Sequence, residues 1–141
     1  MHSKQHTGKE FVWPIRVYYE DTDAGGVVYY ANYLRFCERA RTEWLRTLGV
    51  DQRDLLVSQN LAFVVTRVEA DYFRSAELDD ELDVLSTVSK MGAASLTFNQ
   101  TVMRGETKVF SAVVHIACVD MSRRRAMRIP DDLRALLESI E

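Results

Sequence analysis

An α+β fold, a curved antiparallel sheet wrapped around one long central helix, is what this 141-residue sequence predicts. Three observations carry that expectation. One long stretch has helical periodicity, several others alternate like strands, and no strand–helix–strand repeat occurs, which excludes a doubly wound parallel sheet. One helix is too little cover for five strands unless the sheet curls around it.

The elements follow in order. Residues 1–10 read as a disordered tail, and 11–141 as a single domain. A first strand is predicted from Phe11 to about Tyr19; Pro14 has no N–H, so this strand belongs at an edge or a bulge. From about Ala31 to Leu48, Tyr33, Cys37, Ala40, Trp44 and Leu48 recur at three- and four-residue steps, with Leu34 and Leu45 beside them. Arg35, Arg39, Thr42 and Arg46 take the other side, and Arg39 is placed to pair with Glu43. Asn32 is the expected N-cap and Gly49 the expected C-terminal stop. A short helix is predicted over Asp51 to Ser58.

Strands then dominate. Leu61 to Phe73 is one. Leu82, Val84, Ser86 and Val88 alternate in the next, and Leu96, Phe98, Gln100 and Val102 in a third. Gly92 and Gly105 mark tight connections between them, so the four strands after the helices are expected to form a meander. Val109 to Val119 is apolar at nearly every position, which predicts a strand buried on both faces, one of them by a second subunit. A closing helix follows Pro130, over Asp131 to Ile140.

Composition narrows the function classes. With 21 acids against 18 bases the net charge is −3, so nucleic acid is not the expected partner. Cys37 and Cys118 lie far apart, which fits neither a disulfide framework nor a zinc site and suits a reducing compartment. The polar start MHSKQHTGKE lacks a signal peptide's apolar core, and no apolar run approaches the ~20 residues of a membrane helix. A cytoplasmic protein without membrane insertion is expected.

The chemistry is expected in YYEDTDAGGVVYY, residues 18–30, where three carboxylates meet a pair of glycines just before the long helix. A carboxylate with an ordinary pKa of ~3.9 is ionised at neutral pH and can act as base or nucleophile. The plain alternative is that Asp23 only caps a turn. Asp21-Thr22-Asp23 also has the D-x-D form of haloacid-dehalogenase-like phosphatases, but that chemistry needs a parallel sheet, magnesium and further acids downstream. Asp21 reads as a brace for loop amides and Glu20 as a bystander. Cys37 lies on the apolar helix face, as a small buried hydrophobe rather than a nucleophile. His2 and His6 fall in the tail and His115 in the last strand.

Residues 17–46, VYYEDTDAGGVVYYANYLRFCERARTEWLR, closely resemble the 4-hydroxybenzoyl-CoA thioesterase-like branch of the hotdog-fold acyl-CoA thioesterases, and within it the Tol–Pal-associated thioesterases of Gram-negative bacteria. FVV near Phe63, LDDEL near Leu78 and ACVD near Cys118 extend the resemblance from Phe11 to about Pro130. It implies two hotdog units paired edge to edge, as a homodimer or homotetramer, with the active site at the subunit interface. The implied reaction is metal-independent hydrolysis of acyl-CoA, without a cofactor, on short aliphatic or aromatic acyl groups; acyl carrier protein is an implied partner.

The resemblance makes Asp23 the catalytic carboxylate and Tyr19 an assisting tyrosine. Gly25 and Gly26 admit the substrate beside helix N–H groups near Tyr30 to Asn32, which would hold the oxyanion. Tyr29 and Tyr33 line the acyl pocket or the core. Tyr30 departs from the Tol–Pal-associated pattern, which has histidine there. The 4-hydroxybenzoyl-CoA branch uses tyrosine in this slot, with its backbone amide as the working group. Arg67, Lys90 and Arg104 are the bases available for the CoA phosphates. A chain that kept the fold as a non-catalytic acyl-carrier or envelope-complex scaffold would have no need of Asp23 with the two glycines.

Overall fold

The computed structural model describes residues 9–141. The elements are β1 (Phe11–Arg16), a 3₁₀ turn (Tyr19–Asp21), α1 (Asn32–Thr47), α2 (Gln52–Gln59), β2 (Leu61–Tyr72), β3 (Glu81–Met91), β4 (Ser95–Arg104), β5 (Thr107–Asp120), β6 (Arg125–Ala126) and α3 (Asp131–Glu138). One antiparallel sheet runs β1-β3-β4-β5-β2, with the two-residue β6 added to β5. The tail expectation falls largely on residues 1–8, outside the described residues; Lys9 and Glu10 are exposed.

Two expectations about the strands need correction. Only β3, β4 and β5 form a meander; β2 crosses to the far side of β5 and becomes the second edge. And β1 stops at Arg16, because the chain leaves the ladder there: the Val17 N–H donates to the Asp80 carbonyl and the Tyr18 N–H to Asp21 Oδ2, both at 2.9 Å. Pro14 does lie in an edge strand.

The period-two pattern of β3 and β4 sets the core. Leu82, Val84, Ser86, Val88, Leu96, Phe98, Gln100 and Val102 are all buried against α1. Aromatic side chains clamp both ends of that helix. Tyr33 stacks on Phe110 with ring centres 5.0 Å apart, and Trp44 lies between Phe98 at 6.0 Å and Phe11 at 5.7 Å. Truncating such a ring in a packed core costs ~3–5 kcal/mol.

The helix buries a wider face than its spacing suggested. Phe36 and Arg41 join Tyr33, Cys37, Ala40, Trp44 and Leu45, whereas Leu48 is half-buried and Leu34 exposed. Its N-cap is Ala31, not Asn32. Its end matches expectation. Gly49 at φ 84° lets its N–H reach the Arg46 carbonyl while the Val50 N–H reaches Leu45, a Schellman closure. Glu43 pairs with Arg46 at 2.7 Å rather than with Arg39.

β5 is buried on one face only. Ala112, Val114, Ile116 and Cys118 point inward, while Val113, His115, Ala117 and Val119 remain half-exposed on the outer face of the sheet. Two-sided burial is therefore not reached within one chain. His115 sits on that outer face with Nδ1 3.4 Å from Thr97 Oγ1. Among the described residues no helix is long and apolar enough to cross a membrane.

Candidate active site

The acid loop is built by its own hydrogen bonds and fastened to the start of α1. Asp21 is buried at 4% exposure, which for a carboxylate demands partners. It has two: the Tyr18 N–H on Oδ2 at 2.9 Å and the Asn32 side-chain amide on Oδ1 at 2.8 Å. Its carbonyl accepts the Tyr29 N–H at 2.9 Å, closing the loop on itself. The loop is also stitched to the segment after β2: Val28 donates to the Ala76 carbonyl and Leu78 to that of Gly26. Ala76 in turn donates to the Tyr33 hydroxyl at 3.1 Å.

This frame holds Asp23 outward. Its carboxyl is exposed, with Oδ1 accepting the Gly25 N–H at 2.8 Å, so the turn-capping role is real. Oδ2 has no hydrogen bond among the described residues and faces solvent. The glycines earn separate explanations. Gly26 turns the chain at φ 80°, a region costly for a side-chain-bearing residue, and a Cβ on Gly25 would press on Asp23 Oδ1 at 3.3 Å.

Beside this loop the backbone amides divide unequally. The Asn32 N–H is spent on the Tyr29 carbonyl at 2.8 Å and that of Leu34 on Ala31 at 3.2 Å. The N–H groups of Tyr30 and Ala31 have no backbone acceptor among the described residues. They leave the chain just where α1 begins, at the positive end of its dipole.

Aromatic rings form the adjoining wall. Tyr30 is 63% exposed, lies 4.9 Å from Tyr29 and 6.4 Å from Tyr72 by ring centres, and accepts the Tyr72 hydroxyl on its carbonyl at 3.0 Å. Tyr30, Tyr33, Tyr72 and Phe73 line an open groove of about 260 Å³ with Arg74 at its rim. Tyr33 contributes to this groove from the core, at 3% exposure, and burial pushes its phenol above the ordinary value. Tyr19 stands apart: it is 82% exposed in the 3₁₀ turn and its hydroxyl bonds no described residue. Cys37 is fully buried, and desolvation pushes its thiol up to about 12, so it is no nucleophile.

Residues 17–137 match the Thioesterase-like superfamily. The chain belongs to that superfamily. It is 47% identical over 131 residues to the acyl-CoA thioesterase YbgC of Haemophilus influenzae, covering 93% of this chain and 96% of that protein. It is 42% identical over 126 residues to the acyl-CoA thioester hydrolase YbgC of Escherichia coli O6:H1, covering 89% and 93%. Among solved structures, a probable thioesterase from Bartonella henselae superposes with a TM-score of 0.82 at 34% identity, over 86% of this chain and all of that one. The sheet curled on α1 is thus the hotdog fold of this superfamily.

Within that superfamily frame, two features of the basic residues escaped the sequence reading. Arg104 is not free: its guanidinium bonds the Ser75 carbonyl at 2.8 Å and Asp80 at 3.0 Å, bracing the segment that supports the acid loop. Arg67 is paired with Glu69 at 2.7 Å, while Lys90 is exposed. The exposed basic cluster lies elsewhere, at Arg123, Arg124, Arg125 and Arg128 around β6. The run SRRRAMR in an otherwise acidic chain was the signal that could have found it.

Proposed function

We propose that the protein hydrolyses acyl-CoA thioesters to a free acid and CoA, with Asp23 as the reacting carboxylate. The observation that carries the reading is the free Oδ2 of an exposed Asp23, held by Gly25, in the loop that runs into the Tyr30 and Ala31 N–H groups, which have no acceptor among the described residues. The similar acyl-CoA thioesterases of Haemophilus influenzae and Escherichia coli support the same reaction. Oδ2 attacks the thioester carbonyl, or takes a proton from the water that does. The carbonyl oxygen gains its charge next to the two amides. Each such donor is worth ~3–4 kcal/mol in acyl transfer. The C–S bond then breaks and the thiolate leaves, taking up a proton as CoA; where Oδ2 itself attacked, water then cleaves the acyl–Asp23 anhydride, releasing the free acid and restoring the carboxylate.

The site is completed by a second copy. β2 is an exposed twelve-residue edge strand with Val64 and Val65 half-exposed on it. Two β2 edges paired antiparallel about their middle bring the start of one against the end of the other. That delivers the second copy's arginine turn, which adjoins the start of β2 through Asp120, toward Tyr72 and the catalytic loop. Arg123, Arg124, Arg125 and Arg128 then serve the CoA phosphates.

The test is hydrolysis of acyl-CoAs across chain lengths, aliphatic and aromatic, by wild type, Asp23→Asn and Tyr30→His. Wild type is expected to turn over and Asp23→Asn to lose about a hundredfold or more in kcat. An inert wild type, or an Asp23→Asn as fast as wild type, would falsify the reading. A sharp gain in Tyr30→His would show that the tyrosine limits the rate.

A further inference from the structure

Deep in the concave side of the sheet, Arg41 is an arginine without an acid. It is 8% exposed, yet no carboxylate lies within 4.0 Å of it among the described residues. Its hydrogen bond among them goes to Gln100 Oε1 at 2.9 Å. Gln100, 1% exposed, is itself fixed by donating to the Cys37 carbonyl at 3.0 Å and to Ser86 Oγ at 2.9 Å. The guanidinium is therefore held in one place with most of its five N–H donors unspent. Glu38, one turn earlier, forms no ion pair with it; its Oε2 accepts the Thr42 hydroxyl at 2.9 Å. Burial pulls the Arg41 pKa below its ordinary value, with nearby Cys37 and Glu38 opposing, but an arginine stays charged.

The guanidinium lines a cavity of about 160 Å³. Leu45, Phe63, Val65, Leu96, Phe98 and Ile116 form its apolar walls, and Glu38, Thr42 and Gln52 are its other polar lining residues. It lies about 14 Å along α1 from Asn32, at 1.5 Å per residue, and shares no lining residue with the groove at Tyr30. A buried cation at one end of an apolar chamber is complementary to one kind of small molecule: an anionic head on an apolar body. An apolar cavity of ~150 Å³ holds a benzene ring, so the fit is to an acid of roughly six or seven carbons at most.

We propose that this cavity is a binding site for a short aliphatic or aromatic carboxylic acid, its carboxylate received by Arg41 and its tail by the apolar walls. The site is independent of Asp23 and of the thioesterase reading. A macromolecular carboxylate fits less well, since a side-chain acid would bring nothing to fill the six apolar wall residues. The bound acid would tie α1 to β4 and stabilise the fold by mass action.

Thermal shift and titration calorimetry at constant ionic strength test this with sodium hexanoate and sodium benzoate, against hexanol and benzyl alcohol. Wild type is expected to bind the acids saturably and the alcohols about tenfold or more weaker, as befits loss of a charge-assisted bond. Arg41→Met should lose the acids. Should that variant not fold, Val65→Phe fills the chamber from its half-exposed wall, keeps Arg41, and should abolish binding as well. Equal binding of acids and alcohols, no binding of either, or undiminished binding by Val65→Phe overturns the proposal. So does an Arg41→Met chain whose only defect is weaker self-association, which would assign the guanidinium to a contact between copies.

Discussion

The Asn32 side-chain amide donates to the Asp21 carboxylate at 2.8 Å with both residues buried, joining the acid loop to the first turn of α1 across eleven positions of sequence. The loop that carries Asp23 is therefore positioned by the helix it precedes. Asn32→Ala should lower stability by about 1–3 kcal/mol, because Asp21 Oδ1 is left buried and unbonded. Asn32→Asp should be worse at neutral pH, with two carboxylates in one pocket, and should recover as acid protonates one of them. Urea denaturation at pH 7 and pH 5 measures both; an Asn32→Asp variant as stable as wild type at pH 7 would contradict the geometry.

Asp23 can be dissected by chemistry alone. Asn keeps an oxygen to accept the Gly25 N–H, whereas Ala removes it. Stability should thus be nearly unchanged in Asp23→Asn and lower by about 1 kcal/mol in Asp23→Ala. Both should lose turnover alike. Paired melting curves and kcat values separate the cap from the reagent.

Gly25→Ala is a subtler probe. Its Cβ would stand 3.3 Å from Asp23 Oδ1, so the carboxyl must shift by a few tenths of an ångström. The expected result is a fall of about tenfold or more in kcat with little change in melting temperature. A variant that melts early but turns over normally would place the glycine's role in folding only.

The arginine turn should be felt in substrate binding. Removing Arg125 and Arg128 together should raise KM for acyl-CoA severalfold, leave kcat nearly intact, and flatten the dependence of KM on salt. Acyl-pantetheine, which lacks the nucleotide phosphates, is the control and should not respond. An equal effect on both substrates would move the turn out of the binding site.

Alkaline pH should destabilise the fold. Burial raises the thiols of Cys37 to about 12 and Cys118 to about 11 from an ordinary 9.0, and pushes the Tyr33 and Tyr72 phenols upward as well. The folded chain therefore holds protons that the unfolded chain releases above pH 9, and stability is present below that pH and lost as pH rises toward 12. Equilibrium unfolding from pH 8 to 11 checks the slope. Cys37→Ala should flatten it, at the cost of a smaller side chain in the core.

Much of this could be read from local pattern. The alternation in β3 and β4 named all eight inward residues, and Gly49 marked the helix end, because both are set by neighbours within a few positions. What escaped depends on distant chain. Nothing near Leu61 says that β2 will pair with β5 and leave an edge. The helical spacing assigned Arg41 to neither face; it is Gln100, 59 positions away, that draws it inward. At the site, the two glycines and the exposed carboxylate were legible, whereas which amides remain unspent depended on a 3₁₀-like first turn that residue types do not announce.

The two rims of the sheet are not equivalent. β1 has Pro14, which has no N–H to donate, near its centre, while β2 is a twelve-residue strand that pairs with β5 on one side and with no other strand of the chain on the other. Lateral growth is thus blunted on one side. Copies added in the plane of the sheet through β2 would meet by like edges, a contact that closes on itself after two chains. In such an assembly a single imino acid would help to turn an open-ended ribbon into a finite particle.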